Sequence, residues 1–291
     1  MRPSQRLRSL EPASLDADLA NYWRDGYAVV RGFFDAAEIA EISAALDQLY
    51  AEGVAHGRSF RHGNLFYDVA RAPSGEPLVR MVQWPSYHQP LLNRVRLDPR
   101  FAWLLEPLIG GDLKEIINQV HWKAPGSLGE FAWHQDSRSR RPASAFRDLA
   151  SAYVQTGLAI DPHTSESGAM RFIPGSHLRG DLGMDCSKKA LGSAPTDAAL
   201  EAVGLSAADA VELILEPGDL ALWSPYLVHA SGTNRSAHKR RFYINGYVRG
   251  ADCDRGEWAF RAGRPVPLGP RPVLVHYEEL NERPGPHYCE G

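Results

Sequence analysis

The chain has 291 residues, 44% of them hydrophobic and 23% charged, the proportions of an ordinary globular protein. Its formal net charge of −3 lacks the basic surplus on which nucleic-acid or anionic-membrane binding rests, and no run approaches the roughly 18 apolar residues of a membrane span. Three scattered cysteines, Cys186, Cys253 and Cys289, form no C-x-x-C pair and argue against a disulfide framework or a zinc knuckle.

The first residues carry arginines with no apolar stretch behind them, so no signal peptide is expected, and a reducing cytoplasmic setting is the default. Residues 15–23 read as a helix, Asp25-Gly26 as a turn, and residues 27–30 as a short strand. Asp35 is placed to cap a helix over 36–50, where Ile39, Ile42, Leu46 and Leu49 recur at helical spacing and mark a buried stripe. A second helical block is expected over about 89–108. From Asp112 onward the pattern changes to short β-rich runs separated by turns: 115–122, 152–160, 169–173, 211–215, 220–223 and 242–248. The more polar stretch from about 186 to 210 reads as an insertion between strands.

Many short strands with few helices among them predict an all-β core with flanking helices. The expected architecture is a double-stranded β-helix (a cupin-like jelly roll) with N-terminal helices packed outside. One domain is expected over 1–291, with a helical part to about 110, a jelly-roll core over about 111–250 and a tail over 251–291.

The chemistry starts at His134-Gln135-Asp136. At the end of a strand, residues i and i+2 face the same side, so the imidazole and the carboxylate can converge on one divalent first-row metal. A third ligand, usually another histidine, would complete a facial triad and leave three positions for a cosubstrate and O2. One H-x-D among eleven histidines is weak evidence alone. His276-Tyr277-Glu278 offers similar spacing in a proline-rich tail that lacks later strands. His229 ends an apolar β-like run and is followed by a polar loop and the returning strand of a possible hairpin, which the chain enters near Arg240. From there a guanidinium could grip the far carboxylate of a dicarboxylic cosubstrate with its planar fork; Arg240 and Arg241 as solvated rim charges is the plainer alternative.

Taken together, these segments resemble the phytanoyl-CoA dioxygenase family of Fe(II)/2-oxoglutarate oxygenases. The matching stretches are Asp25-Gly26-Tyr27 through Gly32-Phe33-Phe34, Trp133-His134-Gln135-Asp136, Ser167-Gly168-Ala169-Met170 through Pro174-Gly175-Ser176-His177, Glu216-Pro217-Gly218-Asp219, and His229 through Arg240. They stand in the family's order over roughly residues 20–250. The resemblance implies that His134, Asp136 and His229 hold iron, and that Arg240 and Ser231 bind 2-oxoglutarate. It further implies that His121 takes a cosubstrate-contact position more often filled by asparagine, that Gln119 shares its face, and that Arg241 points the other way. His177 is expected to stabilise a turn, and Trp133 to lie in the core.

The implied reaction consumes O2 and 2-oxoglutarate, releases succinate and CO2, and hydroxylates or otherwise oxidises a C–H bond of a small organic substrate. Asp136 disfavours halogenation, for which relatives replace this carboxylate with a small residue. Arg138 and Arg140, in a loop that could cover the pocket, are candidate contacts for a substrate carboxylate or phosphonate. No nucleic-acid or membrane partner is expected, and the chain is expected to act as a monomer or homodimer. Rival readings are a cupin-like metal-dependent isomerase or lyase, which would not need Arg240, and a non-catalytic binding protein on the same scaffold.

Overall fold

In the computed structural model, described over residues 12–72, 74–126, 130–184, 193–269, 273 and 283–289, helix α1 (Pro12–Asp25) turns through Gly26 into β1 (Tyr27–Val30). The side chains of residues 12–18 lie outside this description, as do Cys186 and His276-Tyr277-Glu278. Asp35 then caps α2 (Ala36–His56): its carboxylate accepts from the Glu38 amide while Glu38 reaches back to the Asp35 amide. The helix runs past the expected end at residue 50 and stops at Gly57 in the left-handed conformation. Its stripe of Ile39, Ile42, Leu46 and Leu49 is buried, each side chain contributing about 2 kcal/mol of apolar burial.

The segment between the helices is not helical. It forms β2 (Phe60–His62), β3 (Leu65–Arg71) and β4 (Pro77–Gln83), a meander that extends the main sheet from its β5 side. These strands are only partly buried and carry Arg61, His62, Asp68, Arg71 and Arg80, so they give no clean apolar alternation to read. The next helical block is split in two, α3 (Pro90–Arg96) and α4 (Pro99–Ile109). Each begins on a proline at its first position behind a side-chain cap, Gln89 and Asp98.

The remaining strands are β5 (Leu113–Lys123), β6 (Phe131–His134), β7 (Tyr153–Ala159), β8 (Met170–Phe172), β9 (Val211–Glu212), β10 (Leu220–Trp223), β11 (His229–Ser231), β12 (Arg240–Arg249), β13 (Glu257–Arg261), β14 (Arg264–Pro265) and β15 (His287–Tyr288). The main sheet has the order β1-β10-β7-β12-β5-β4-β3-β2-β15, with β13 pairing on β5 and β14 on β13; the smaller one has the order β6-β11-β8-β9. Every ladder among the described residues is antiparallel. This is the expected jelly roll, enlarged at one edge by the meander and by strands from the tail.

Two apolar layers hold it together. One lies between the main sheet and helices α2 to α4 and contains Leu46, Leu49, Val82, Phe101, Leu105, Val120 and Tyr243. The other lies between the two sheets, where Met170 and Phe172 of the smaller sheet meet Trp223, Phe242 and Ile244 of the larger. Met170, Trp223, Phe242 and Ile244 of this second layer also line the cavity described below.

Candidate active site

The register of two short strands builds the centre. His229, the first residue of β11, pairs directly with His134, the last residue of β6, so their rings lie side by side with centroids 4.1 Å apart. Asp136 follows β6 by two residues, at the start of a single helical turn, and its carboxylate turns back between them. Asp136 Oδ1 is 3.9 Å from His134 Nε2 and Oδ2 is 3.7 Å from His229 Nε2. Among the described residues this is the one group of three such donors whose ligand atoms all lie within 4.8 Å of one another.

The imidazoles are prepared for ligation. His134 Nδ1 donates to the Ala132 carbonyl at 2.7 Å and His229 Nδ1 to the Leu227 carbonyl at 2.9 Å. A carbonyl can only accept, so each Nδ1 carries a proton and each Nε2 is the nitrogen turned toward Asp136. Burial, with His229 beside it, depresses His134 to about 4 against the pull of Asp136, so the ring is neutral at physiological pH. Burial alone would raise the carboxyl of Asp136, but His229, Arg140 and His134 around it and the Trp223 indole donor, at 3.1 Å from Oδ2, hold it below the usual range. Two imidazoles and one carboxylate on a single side of a cavity suit a divalent first-row ion with open positions opposite.

That cavity is lined by Gln119, His121, Phe131, His134, Asp136, Gln155, Met170, Trp223, His229, Ser231, Arg240, Phe242 and Ile244. The pairing of β5 with β12 explains the far wall: Arg240, Phe242 and Ile244 alternate inward opposite Lys123, His121 and Gln119. Arg240 is buried and gives Nη1 to the Gly168 carbonyl at 2.8 Å, while its Nε has no hydrogen-bond partner. Burial lowers it to about 10, with Asp161 opposing, so it keeps its charge. His121 Nε2 is likewise buried without a partner, and burial together with Arg240 and Lys123 depresses the ring to about 3. A buried guanidinium with an unused donor, beside a second unsatisfied nitrogen, fits an anionic group. These donors are therefore suited to both the metal and a carboxylate cosubstrate.

The structure brings seven of the nine candidate residues into one cavity: Gln119, His121, His134, Asp136, His229, Ser231 and Arg240. Arg138 and Arg140 instead line a second cavity with Ser137, Arg141, Asp148, Asp181 and Tyr226. Arg140 is not on a solvated lid. Its Nη2 donates to Tyr153 Oη at 2.9 Å and Gln155 Oε1 at 3.0 Å, and its guanidinium lies 4.9 Å over the Tyr153 ring. Arg138 is half-buried and lies 3.6 Å from Asp181. Arg241 points to the other face of the strand, buried against α2, and is tied to Asp161 at 2.7 Å and Asp47 at 3.1 Å. His177 contacts the Trp23 carbonyl at 3.2 Å, away from the centre, and Trp133 is buried under Arg171.

Trp223, Gln155, Phe131 and Lys123 were not singled out by sequence reasoning. Gln155 had a signal, being an uncharged polar residue inside a run of buried apolar ones; Lys123 had another, sharing the period-two face of Gln119 and His121. Close approach fixes some of these positions. At Gly157 a Cβ would fall 2.1 Å from Phe242 Cζ, and at Gly246 it would fall 2.0 Å from Tyr153 Oη, so both must be glycine for these rings to reach their places.

The phytanoyl-CoA dioxygenase (PhyH) family model matches residues 22–242. The chain is 25% identical over 244 residues to the dioxygenase lolE1 of Epichloe uncinata, covering 82% of this chain and 84% of that one. It is also 25% identical over 230 residues to a 2-aminoethylphosphonate dioxygenase of an uncultured bacterium, covering 78% and 79%. Its fold is shared with the epimerase SnoN, whose crystal structure holds Fe3+, alpha-ketoglutarate and a nogalamycin compound: TM-score 0.61, 24% identity, covering 91% of this chain and 100% of that one. The chain belongs to the phytanoyl-CoA dioxygenase family and is a non-haem iron, 2-oxoglutarate-dependent oxygenase.

Proposed function

We propose that His134, Asp136 and His229 hold the ferrous ion, that Arg240, Ser231 and His121 receive 2-oxoglutarate, and that a small anionic substrate enters past Arg138. The observation that carries this reading is the buried Arg240, with its free Nε, in the wall of the same cavity as the three metal donors. An isomerase or lyase that did not use 2-oxoglutarate would have no use for such a cation.

Ferrous iron, when bound, supplies O2 activation coupled to oxidative decarboxylation of 2-oxoglutarate to succinate and CO2, with oxidation of a substrate C–H bond. The chain does the rest. Arg240 offers its fork to the distal carboxylate, and Ser231 adds a hydroxyl. Phe131, Met170, Trp223, Phe242 and Ile244 keep water away from the reacting carbon, and the carboxamides of Gln119 and Gln155 orient the substrate against it. Arg140, behind Gln155, fixes that carboxamide and adds its field to Asp136.

The substrate reading rests on the second cavity, where Arg138 meets Asp181 only at 3.6 Å and the buried Ser137 hydroxyl has no partner. A relative that acts, by its name, on 2-aminoethylphosphonate favours the same chemistry. The setting that fits is cytoplasmic, where Cys253 and Cys289 stay free thiols, and the enzyme acts as a monomer or homodimer without nucleic acid or membrane; no described helix is long and apolar enough to cross one. Small carboxylates and phosphonates, each compared with its neutral ester, should stimulate succinate release only as the acid, and Arg138→Ala should erase that preference. Equal stimulation by the esters would contradict an anionic substrate.

A further inference from the structure

One buried cationic side chain at this site remains unassigned. Lys123 ends β5 directly opposite Arg240 in the β5–β12 ladder, and it is 2% exposed. Its Nζ donates to Ser231 Oγ at 2.7 Å and to the Gly232 carbonyl at 2.6 Å. Its backbone carbonyl accepts from Asn234 Nδ2 at 2.9 Å, so Lys123 clamps the turn after β11 from both its head and its backbone.

The valences decide what Ser231 can do. A hydroxyl that accepts from Nζ keeps its own proton for another acceptor. Burial and the neighbouring Arg240 depress Lys123 to about 5 and Glu130 opposes them; a carboxylate held by Arg240 favours the ammonium form, which has no lone pair and can only donate to Ser231 Oγ.

We propose that Lys123 is a positioning residue for the cosubstrate: by holding Ser231 Oγ and the Gly232 carbonyl, it aims the Ser231 hydroxyl proton at the carboxylate gripped by Arg240. The inference rests on the assignment of Arg240 and Ser231 to 2-oxoglutarate made above. It predicts that Lys123 acts through Ser231 and not beside it.

A double-mutant cycle tests this. Lys123→Met, Ser231→Ala and the double variant are titrated anaerobically, as their Fe(II) forms, with 2-oxoglutarate. Each single change should weaken binding about tenfold, and the double change should cost about the same tenfold in place of a hundredfold. The KM for 2-oxoglutarate should follow, while kcat at saturation and Fe(II) affinity stay within about twofold. Lys123→Gln, which keeps an N–H donor, should recover part of the affinity. Additive losses, or unchanged affinity with a lowered melting temperature, would make Lys123 a structural residue and overturn the proposal; so would failure of both Lys123 variants to fold. If Arg240→Met and Ser231→Ala also bind 2-oxoglutarate normally, the cosubstrate assignment itself has failed. If those two weaken binding and Lys123→Met does not, only the Lys123 inference falls.

Discussion

Trp223→Phe separates the hydrogen bond to Asp136 from the packing around it. Trp223 is 1% exposed, stacks on Phe242 at an interplanar angle of 9°, and meets His229 edge-on at a centroid distance of 6.1 Å. Phenylalanine keeps an aromatic ring against both neighbours. What it removes is the indole N–H that reaches Asp136 Oδ2 at 3.1 Å. A hydrogen bond to a buried carboxylate is worth about 1.5–3 kcal/mol, which converts to a loss of about 12- to 160-fold in any equilibrium that needs Asp136 ionised and aligned. That range agrees with the 10–100-fold typical of residues that orient a metal ligand. The lost indole volume should cost about 1 kcal/mol of stability separately. Anaerobic titration of metal-free protein with Fe(II), alongside melting curves with and without metal, reads the two effects apart. The expected result is a metal affinity lowered at least tenfold with a modest drop in melting temperature. Metal affinity within twofold of wild type, with only the melting temperature reduced, would show that Trp223 serves packing alone.

Arg240→Met should raise the dissociation constant for 2-oxoglutarate by about 2–4 kcal/mol, roughly 30- to 1000-fold, and Arg240→Lys by less, because it keeps the charge without the fork; retained affinity in the methionine variant would refute the role. His121 takes no proton in the folded state until about pH 3, whereas the unfolded ring takes one near pH 6.5, so the unfolded state holds more protons between those values and stability falls as pH falls through that window. His121→Asn should therefore flatten the stability profile of the metal-free protein between pH 6 and 4 by up to about 1.4 kcal/mol per pH unit, measured by urea unfolding; an unchanged slope would contradict the assignment. Gly246→Ala would push a methyl into Tyr153 Oη, which Arg140 and Gln155 hold in place, and should destabilise the fold by about 1–3 kcal/mol in the same assay; an unchanged midpoint would show that this network yields freely.

The sequence made the centre legible because the chemistry needs adjacent residues. His134 and Asp136 are two apart, and Arg240 follows His229 by a short connection that crosses from the smaller sheet to the main one and brings its side chain back to the same cavity. The capped helix at Asp35 and the longer strands between Leu113 and Arg249 were equally readable, since burial imposes its period on the residues, whereas the strands of the tail were not. What could not be read depends on pairing across the fold. His229 opens a strand instead of closing one, because its register with His134 and Phe172 is set by two other segments. The meander from Phe60 to Gln83 carries charges on half-exposed faces and is a strand region only because β4 finds β5. Arg140 looked like a lid residue because arginines beside it are solvated; its burial follows from Tyr153 and Gln155 reaching it from β7.

The most direct test of the account is the visible charge-transfer band of the Fe(II) protein on anaerobic addition of 2-oxoglutarate, with His134→Ala measured in parallel. The account predicts a band that saturates at one 2-oxoglutarate per chain in the native protein and is absent without His134. Tight Fe(II) binding with no band in the native protein would contradict it, and a band of full strength without His134 would remove that residue from the metal centre.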